Sequence, residues 1–137
     1  MAEKQKRRGM APVSDAARAW GEALRAEVEQ WPGVRVQRSF GMTLVYRGEV
    51  VFAALPATRA LHAEDAIMLK FQQETAAAAK RMEADGRFAA ATLASARNKN
   101  SEGRKWRFFL LRADGDVHAA IEWLAEAYRM AGKRKRQ

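Results

Sequence analysis

The chain contains no cysteine, which removes disulfides, thiolate metal sites and a thiol nucleophile from consideration. It has only two histidines, His62 and His118, so imidazole chemistry has little to draw on. Glycine appears as isolated punctuation at Gly41, Gly48 and Gly86, and no glycine-rich phosphate loop is present. No apolar run approaches the length of a membrane span, and the N-terminus lacks the hydrophobic segment of a signal peptide, so a cytoplasmic setting is expected. The three prolines each fall at a boundary: Pro12 closes the N-terminal segment, Pro32 ends a helix and Pro56 opens a loop.

What is present fits one soluble domain. The chain has 137 residues, 48% hydrophobic and 30% charged, enough to close a core and too apolar for disorder. Its net charge of +9 is unevenly placed. Lys4, Lys6, Arg7 and Arg8, opposed only by Glu3, leave the first eight residues at +3. Lys133 to Arg136 give the last five +4, so residues 9–132 carry only +2. Within that body the stretch 97–107 holds +4, and everything else sums to −2. The cations therefore sit in two ends and one loop.

Residues 105–130 organise the rest. Trp106, Phe108 and Leu110 alternate with Arg107, Phe109 and Leu111, which predicts a strand wet at its start and buried on both faces further on. Asp114-Gly115-Asp116 breaks it, and the following helix carries Val117, Ile121, Leu124 and Tyr128 along one stripe. Earlier, residues 1–13 read as a mobile basic arm. Ser14 is a candidate N-cap with Asp15 in the first turn. The helix it opens shows Ala17, Trp20, Leu24, Val28 and Trp31 at three- and four-residue steps and is expected to reach Pro32-Gly33. Gly21 inside it lowers helix stability by about 1 kcal/mol relative to Ala.

A strand over 34–40 is expected to put Val34, Val36 and Phe40 on one side, with Gly41 as a bulge or tight link. Residues 42–47 and 50–55 flank Gly48-Glu49, a hairpin signal, in a register pairing Tyr46 with Val51, Leu44 with Ala53 and Met42 with Leu55. A loop over 56–64, a strand over 66–71 and an alanine-rich helix over 75–85 follow. Phe88 is placed to plug the core, and 97–103 reads as a polar basic loop. This order predicts a single-domain α+β fold, a mostly antiparallel sheet with helices packed on one face. The domain spans 14–132, between the basic arm 1–13 and a basic tail 133–137.

Trp31-Pro32-Gly33-Val34, Ser39-Phe40-Gly41-Met42 and the run Tyr46 to Ala53 resemble the opening of MmcQ/YjbR-like proteins. Ile67 to Phe71, Phe88, Trp106 to Leu110 and Ile121 to Tyr128 continue the resemblance over roughly residues 18–131. Phe40-Gly41-Met42 with Leu69-Lys70 also resembles the N-terminal domain of TfoX-type competence regulators, and the Trp106 strand with its helix a small luciferase-like domain. The resemblance implies a frataxin-like or double-wing α+β fold, a proposed DNA-binding role and no established active site. Both basic ends and the basic loop fall outside the pattern.

The best binding candidate is the loop and strand entry carrying Arg97, Lys99, Arg104, Lys105 and Arg107, with Asn98 and Asn100 between them. The cations suit phosphates and the amides suit sugar or base edges; the alternative is a solvated loop that keeps the protein soluble. Arg35, Arg38 and Arg47 extend the patch only if they share an exposed face. His118 and Glu122, four apart on a helix, lack a third metal ligand, and His62, Glu64 and Asp65 read as loop polarity. Trp20, Trp31, Trp106 and Trp123 are expected in the core. The expectation is a non-enzymatic module without cofactor or metal that binds nucleic acid, DNA or RNA. The rival is a protein-interaction module using the sheet face or hairpin, and a small-molecule site near His62 comes third.

Overall fold

The computed structural model describes residues 11–60, 65–72, 74–89 and 106–134. Its elements are β1 (Ala11–Pro12), α1 (Asp15–Val28), β2 (Val34–Ser39), β3 (Met42–Arg47), β4 (Val50–Pro56), β5 (Arg59–Ala60), β6 (Ala66–Lys70), α2 (Ala76–Ala84), β7 (Trp106–Leu110) and α3 (Gly115–Arg134). Five strands form one antiparallel sheet in the order β2-β3-β4-β6-β7, and β1 pairs with β5 beside it. The predicted α+β class is therefore observed.

The first helix begins as its sequence dictates. Ser14 Oγ accepts from the Ala17 N–H at 3.0 Å, and Asp15 lies in the first turn. It stops earlier than expected, at Val28, because Glu29 caps it and the chain turns through Trp31 before Pro32 is reached. Arg25 bonds Glu22 and Glu29 one turn either side, support of a few tenths of a kcal/mol for an exposed face. Ala17, Gly21, Leu24 and Val28 are the residues this helix buries.

Two hairpins set the sheet. Phe40 and Gly41 form a two-residue link with φ of 52° and 78°, both left-handed, which closes Ser39 on Met42 as a primed turn. Phe40 thus leaves the strand rather than sharing a side with Val34 and Val36, and it is 81% exposed. Left-handed backbone costs a bulky residue about 1–2 kcal/mol. The Gly48-Glu49 hairpin appears where predicted, with Gly48 at φ 63°. Its register departs from the prediction beyond Tyr46–Val51: Leu44 meets Ala54 and Met42 meets Pro56. The cause is a bulge in β4, where Phe52 is passed over. Phe52 and Ala53 can then both enter the core, and Phe52 packs edge-on against Tyr128.

The helices lie on one face over Val45, Phe52, Leu55, Ile67, Leu69, Phe71, Phe109 and Leu111. On α3 the buried stripe is Ala120, Trp123, Leu124, Ala127 and Ala131, turned from the predicted one, so Val117, Ile121 and Tyr128 sit at its margin. Small residues in that stripe let the helix approach the sheet closely. Phe88 fills the core edge as expected, edge-on to Phe109 at 5.2 Å and Trp123 at 5.0 Å. The face opposite the three described helices carries a second apolar cluster of Met42, Ala54, Ala66, Met68, Phe108 and Leu110, all buried.

Residues 11–13, the last of the predicted arm, are tied to the fold rather than free. Ala11–Pro12 pairs with Arg59–Ala60, and the Val13 N–H donates to the Thr58 carbonyl. Thr58 N–H in turn donates to Gly41 O at 2.8 Å, so the basic arm joins the fold at the Phe40 end of the sheet. Helix α3 runs on through Arg134, past the expected start of the tail.

Candidate nucleic-acid interface

Of the predicted contact residues, Arg97, Asn98, Lys99, Asn100, Arg104 and Lys105 lie outside the described residues, as do His62 and Glu64. Arg107 lies within β7, and its guanidinium is already engaged. Its Nε donates to Glu74 Oε1 at 3.1 Å and its Nη2 bonds Glu74 Oε2, a two-point fork between the strand and the entry to α2. The side chains are 23% and 11% exposed. Arg107 thus ties structure together, with its field largely cancelled by Glu74.

Strand directions decide where the basic segments meet the sheet. Residue 106 starts β7 at the end where Gly48-Glu49 turns and Lys70 finishes β6, since Lys70 pairs with Trp106. Helix α3 finishes at that same end. There the Tyr128 carbonyl accepts from Arg47 Nη1 at 3.0 Å, the Tyr128 hydroxyl donates to the Pro32 carbonyl at 2.7 Å, and Gly132 lies against the Arg47 guanidinium. Trp106, where β7 begins, and Arg134, where α3 ends, therefore lie at one end of the sheet. They are separated by about three strand spacings, roughly 15 Å.

That end also carries cations stacked on aromatic rings. The Arg35 guanidinium lies 4.2 Å from the Tyr46 centroid and donates to the Gly48 carbonyl, while Lys70 Nζ lies 5.2 Å from the Trp106 ring. Both pairs are on the face opposite the described helices: Tyr46 follows Leu44 by two positions, and Trp106 packs on the cluster containing Met68 and Phe108. Arg38 alternates to the other face and Arg47 folds under Tyr128, so the three arginines do not share one patch. The Arg35–Tyr46 pairing was within reach of the sequence, because a two-residue turn at 40–41 dictates it. The Lys70–Trp106 pairing was not, because nothing local brings β6 to β7.

A second charged region lies between α2 and α3, an open cleft of about 540 Å³ lined by Arg81, Asp85, Arg87, Trp123, Glu126 and Arg129 among others. Burial alone would raise the Asp85 pKa. The hydrogen bonds from Arg87 and from Trp123 Nε1 outweigh that and hold it below the usual carboxylate value. Asp116 is held low in the same way, burial being overcome by the Arg112 and Ala113 N–H groups and by Arg87. Glu126 is lowered first by the two-point bond from Arg81, against the effect of burial. Each carboxylate is thus committed to its arginine in the charged form, which suits a structural clasp rather than proton transfer.

His118 Nε2 lies 3.8 Å from Glu122 on an exposed face, and among the described residues no three His, Asp or Glu side chains gather as a metal site would require. Asp65 accepts from Ser14 Oγ at 2.8 Å, joining the start of α1 to β6. The tryptophans are tied as well as packed: Trp20 Nε1 donates to Asp114 and Trp31 Nε1 to Glu27. Among the described residues no helix is long and apolar enough to cross a membrane. Set against models of protein families, curated proteins and solved structures, the chain matches none.

Proposed function

We propose that the protein is a non-enzymatic, cytoplasmic nucleic-acid-binding module of the MmcQ/YjbR type. It grips the phosphate backbone at the Gly48 end of its sheet. The observation that carries this reading is the shared exit: β7 begins and α3 ends where Arg35 and Lys70 already lie over Tyr46 and Trp106. Arg97, Lys99, Arg104 and Lys105 supply most of the charge, with Asn98 and Asn100 beside them, and the C-terminal Lys133–Arg136 run reinforces it from α3. The basic arm joins at the opposite end and adds affinity without register. Because Arg107 is paired with Glu74, it orients the strand that delivers the loop rather than contacting phosphate.

Titration of labelled duplex DNA, single-stranded DNA and RNA at two ionic strengths, with intact protein and with protein lacking residues 1–10, tests this. Binding that survives arm removal and weakens steeply with salt supports it. Binding abolished by arm removal places the affinity in the arm and refutes a role for the folded domain. The rival, a protein-contacting module, is favoured by one observation, the exposed Phe40 on the hairpin tip. The face opposite the described helices supports it less, since Met42, Met68 and Phe108 there are buried.

A further inference from the structure

On the face opposite the described helices, one row of side chains crosses all five strands of the sheet. Arg35 pairs with Tyr46, Tyr46 with Val51, and Lys70 with Trp106, while the register that sets Ala53 against Leu69 brings the Val51 end of β4 beside Lys70. Residues directly opposite one another share a face. The row therefore reads cation, ring, valine, cation, ring. Arg35 is exposed and the other four are half-buried, whereas Met42, Met68 and Phe108 further along the same face are buried. Arg35 lies over Tyr46 and donates to the Gly48 carbonyl. Unlike Arg25, Arg81, Arg87 and Arg107, it gives up none of its charge to a carboxylate among the described residues. The two rings, on β3 and β7, stand three strand spacings apart, roughly 15 Å.

We infer that this row is a stacking platform for an unpaired nucleic-acid strand, whose bases lie on the Tyr46–Arg35 and Trp106–Lys70 pairs. The inference rests on the nucleic-acid reading above and narrows it from any polyanion to strands whose base faces are open. Aromatic rings favour flat apolar faces, and cations beside them favour an anionic backbone; a single strand offers both. A duplex offers this face only phosphate, because its bases are closed against one another at ~3.4 Å and a sheet surface does not part them. The guanidinium stacked on Tyr46 extends the platform, since bases stack on arginine planes as they do on aromatic faces. Lys70, a point charge on a flexible four-carbon stem, moves from the Trp106 ring to a phosphate as a base arrives. The ring separation exceeds one nucleotide step, so the two rings hold bases that are not neighbours, with what lies between them passing over Val51 and Lys70. Base faces and phosphates are common to DNA and RNA, so the platform does not read the sugar.

Fluorescence anisotropy of the full chain tests this with labelled probes of equal length: oligothymidine, oligouridine, a fully abasic DNA strand and a DNA duplex. Oligothymidine and oligouridine should each bind about tenfold or more tighter than the abasic strand. Their salt dependence should resemble that of the abasic strand, because the backbone charge is the same. Tyr46→Leu and Trp106→Leu should each reduce the preference for base-bearing strands about fivefold or more, leaving abasic and duplex affinity unaltered, while Tyr46→Phe keeps the preference. If Trp106→Leu fails to fold, the probe comparison on the unaltered chain and the Tyr46 variants still decide. Equal affinity for abasic and base-bearing strands overturns the inference and leaves the nucleic-acid reading standing, with phosphate as the ligand. A preference that survives both ring variants overturns the assignment to this row. Failure of every probe to bind overturns the nucleic-acid reading and the inference with it.

Discussion

The Pro56 carbonyl oxygen lies so close to Gly21 that a Cβ on that residue would stand 2.2 Å from it. Helix α1 crosses the end of β4 there, and only a residue without a side chain permits the approach. Gly21→Ala therefore sets two effects against each other. Helix propensity gains about 1 kcal/mol, but a backbone carbonyl cannot swing aside as a side-chain tip can, and overpacking costs about 1–3 kcal/mol, with more when backbone must shift. The clash wins, and chemical denaturation should show net destabilisation.

Acid should loosen the α2–α3 clasp before the rest of the fold. Asp85, Asp116 and Glu126 have folded-state pKa values lowered from their ordinary ones. A lowered carboxylate pKa stabilises the folded state above the unfolded value, and that contribution disappears as pH falls through the folded one. The melting temperature is thus expected to hold above about pH 5 and to fall below it, starting from carboxylate values near 4. Asp85→Asn should shrink the acid-sensitive part of the curve. Asp85→Ala, which leaves Arg87 and Trp123 Nε1 without their acceptor, should cost about 2 kcal/mol at neutral pH.

Arg107 should behave as a strut. Arg107→Ala leaves Glu74, 11% exposed, facing no cation, and should destabilise by about 1–2 kcal/mol, the edge position moderating a buried pair's larger cost. Arg107→Ala with Glu74→Ala should recover most of that loss. In nucleic-acid titrations the same Arg107→Ala change should leave the salt slope nearly unaltered, whereas Lys105→Ala should reduce it by about 0.9 on duplex DNA.

Local chemistry made much of this structure readable beforehand. Ser14 and Thr75 begin helices as short hydroxyl side chains do, and Gly48-Glu49 turns where alternating apolar runs meet. The errors came where a residue served a non-local need. Phe52 doubles into the core through a bulge that no period-two pattern foresees. Phe40 occupies a turn position where Asn or Gly is the ordinary choice, so its apolar character read as strand. In the candidate site, basic composition was evident but its neutralisation was not: Glu74 lies 33 positions from Arg107. The meeting of Trp106 and the end of α3 at one end of the sheet likewise depends on the order β4-β6-β7, a long-range property.

The central claim is that a polyanion is held by the basic loop at the Gly48 end. The most direct test replaces Arg97, Lys99, Arg104 and Lys105 together with Ala and measures how binding of labelled duplex DNA varies with salt. The slope of log affinity against log salt should become shallower by up to about 3.6, as expected when four phosphate contacts are lost. A slope identical to that of the unaltered protein, or no binding by the unaltered protein even at low salt, would contradict the account.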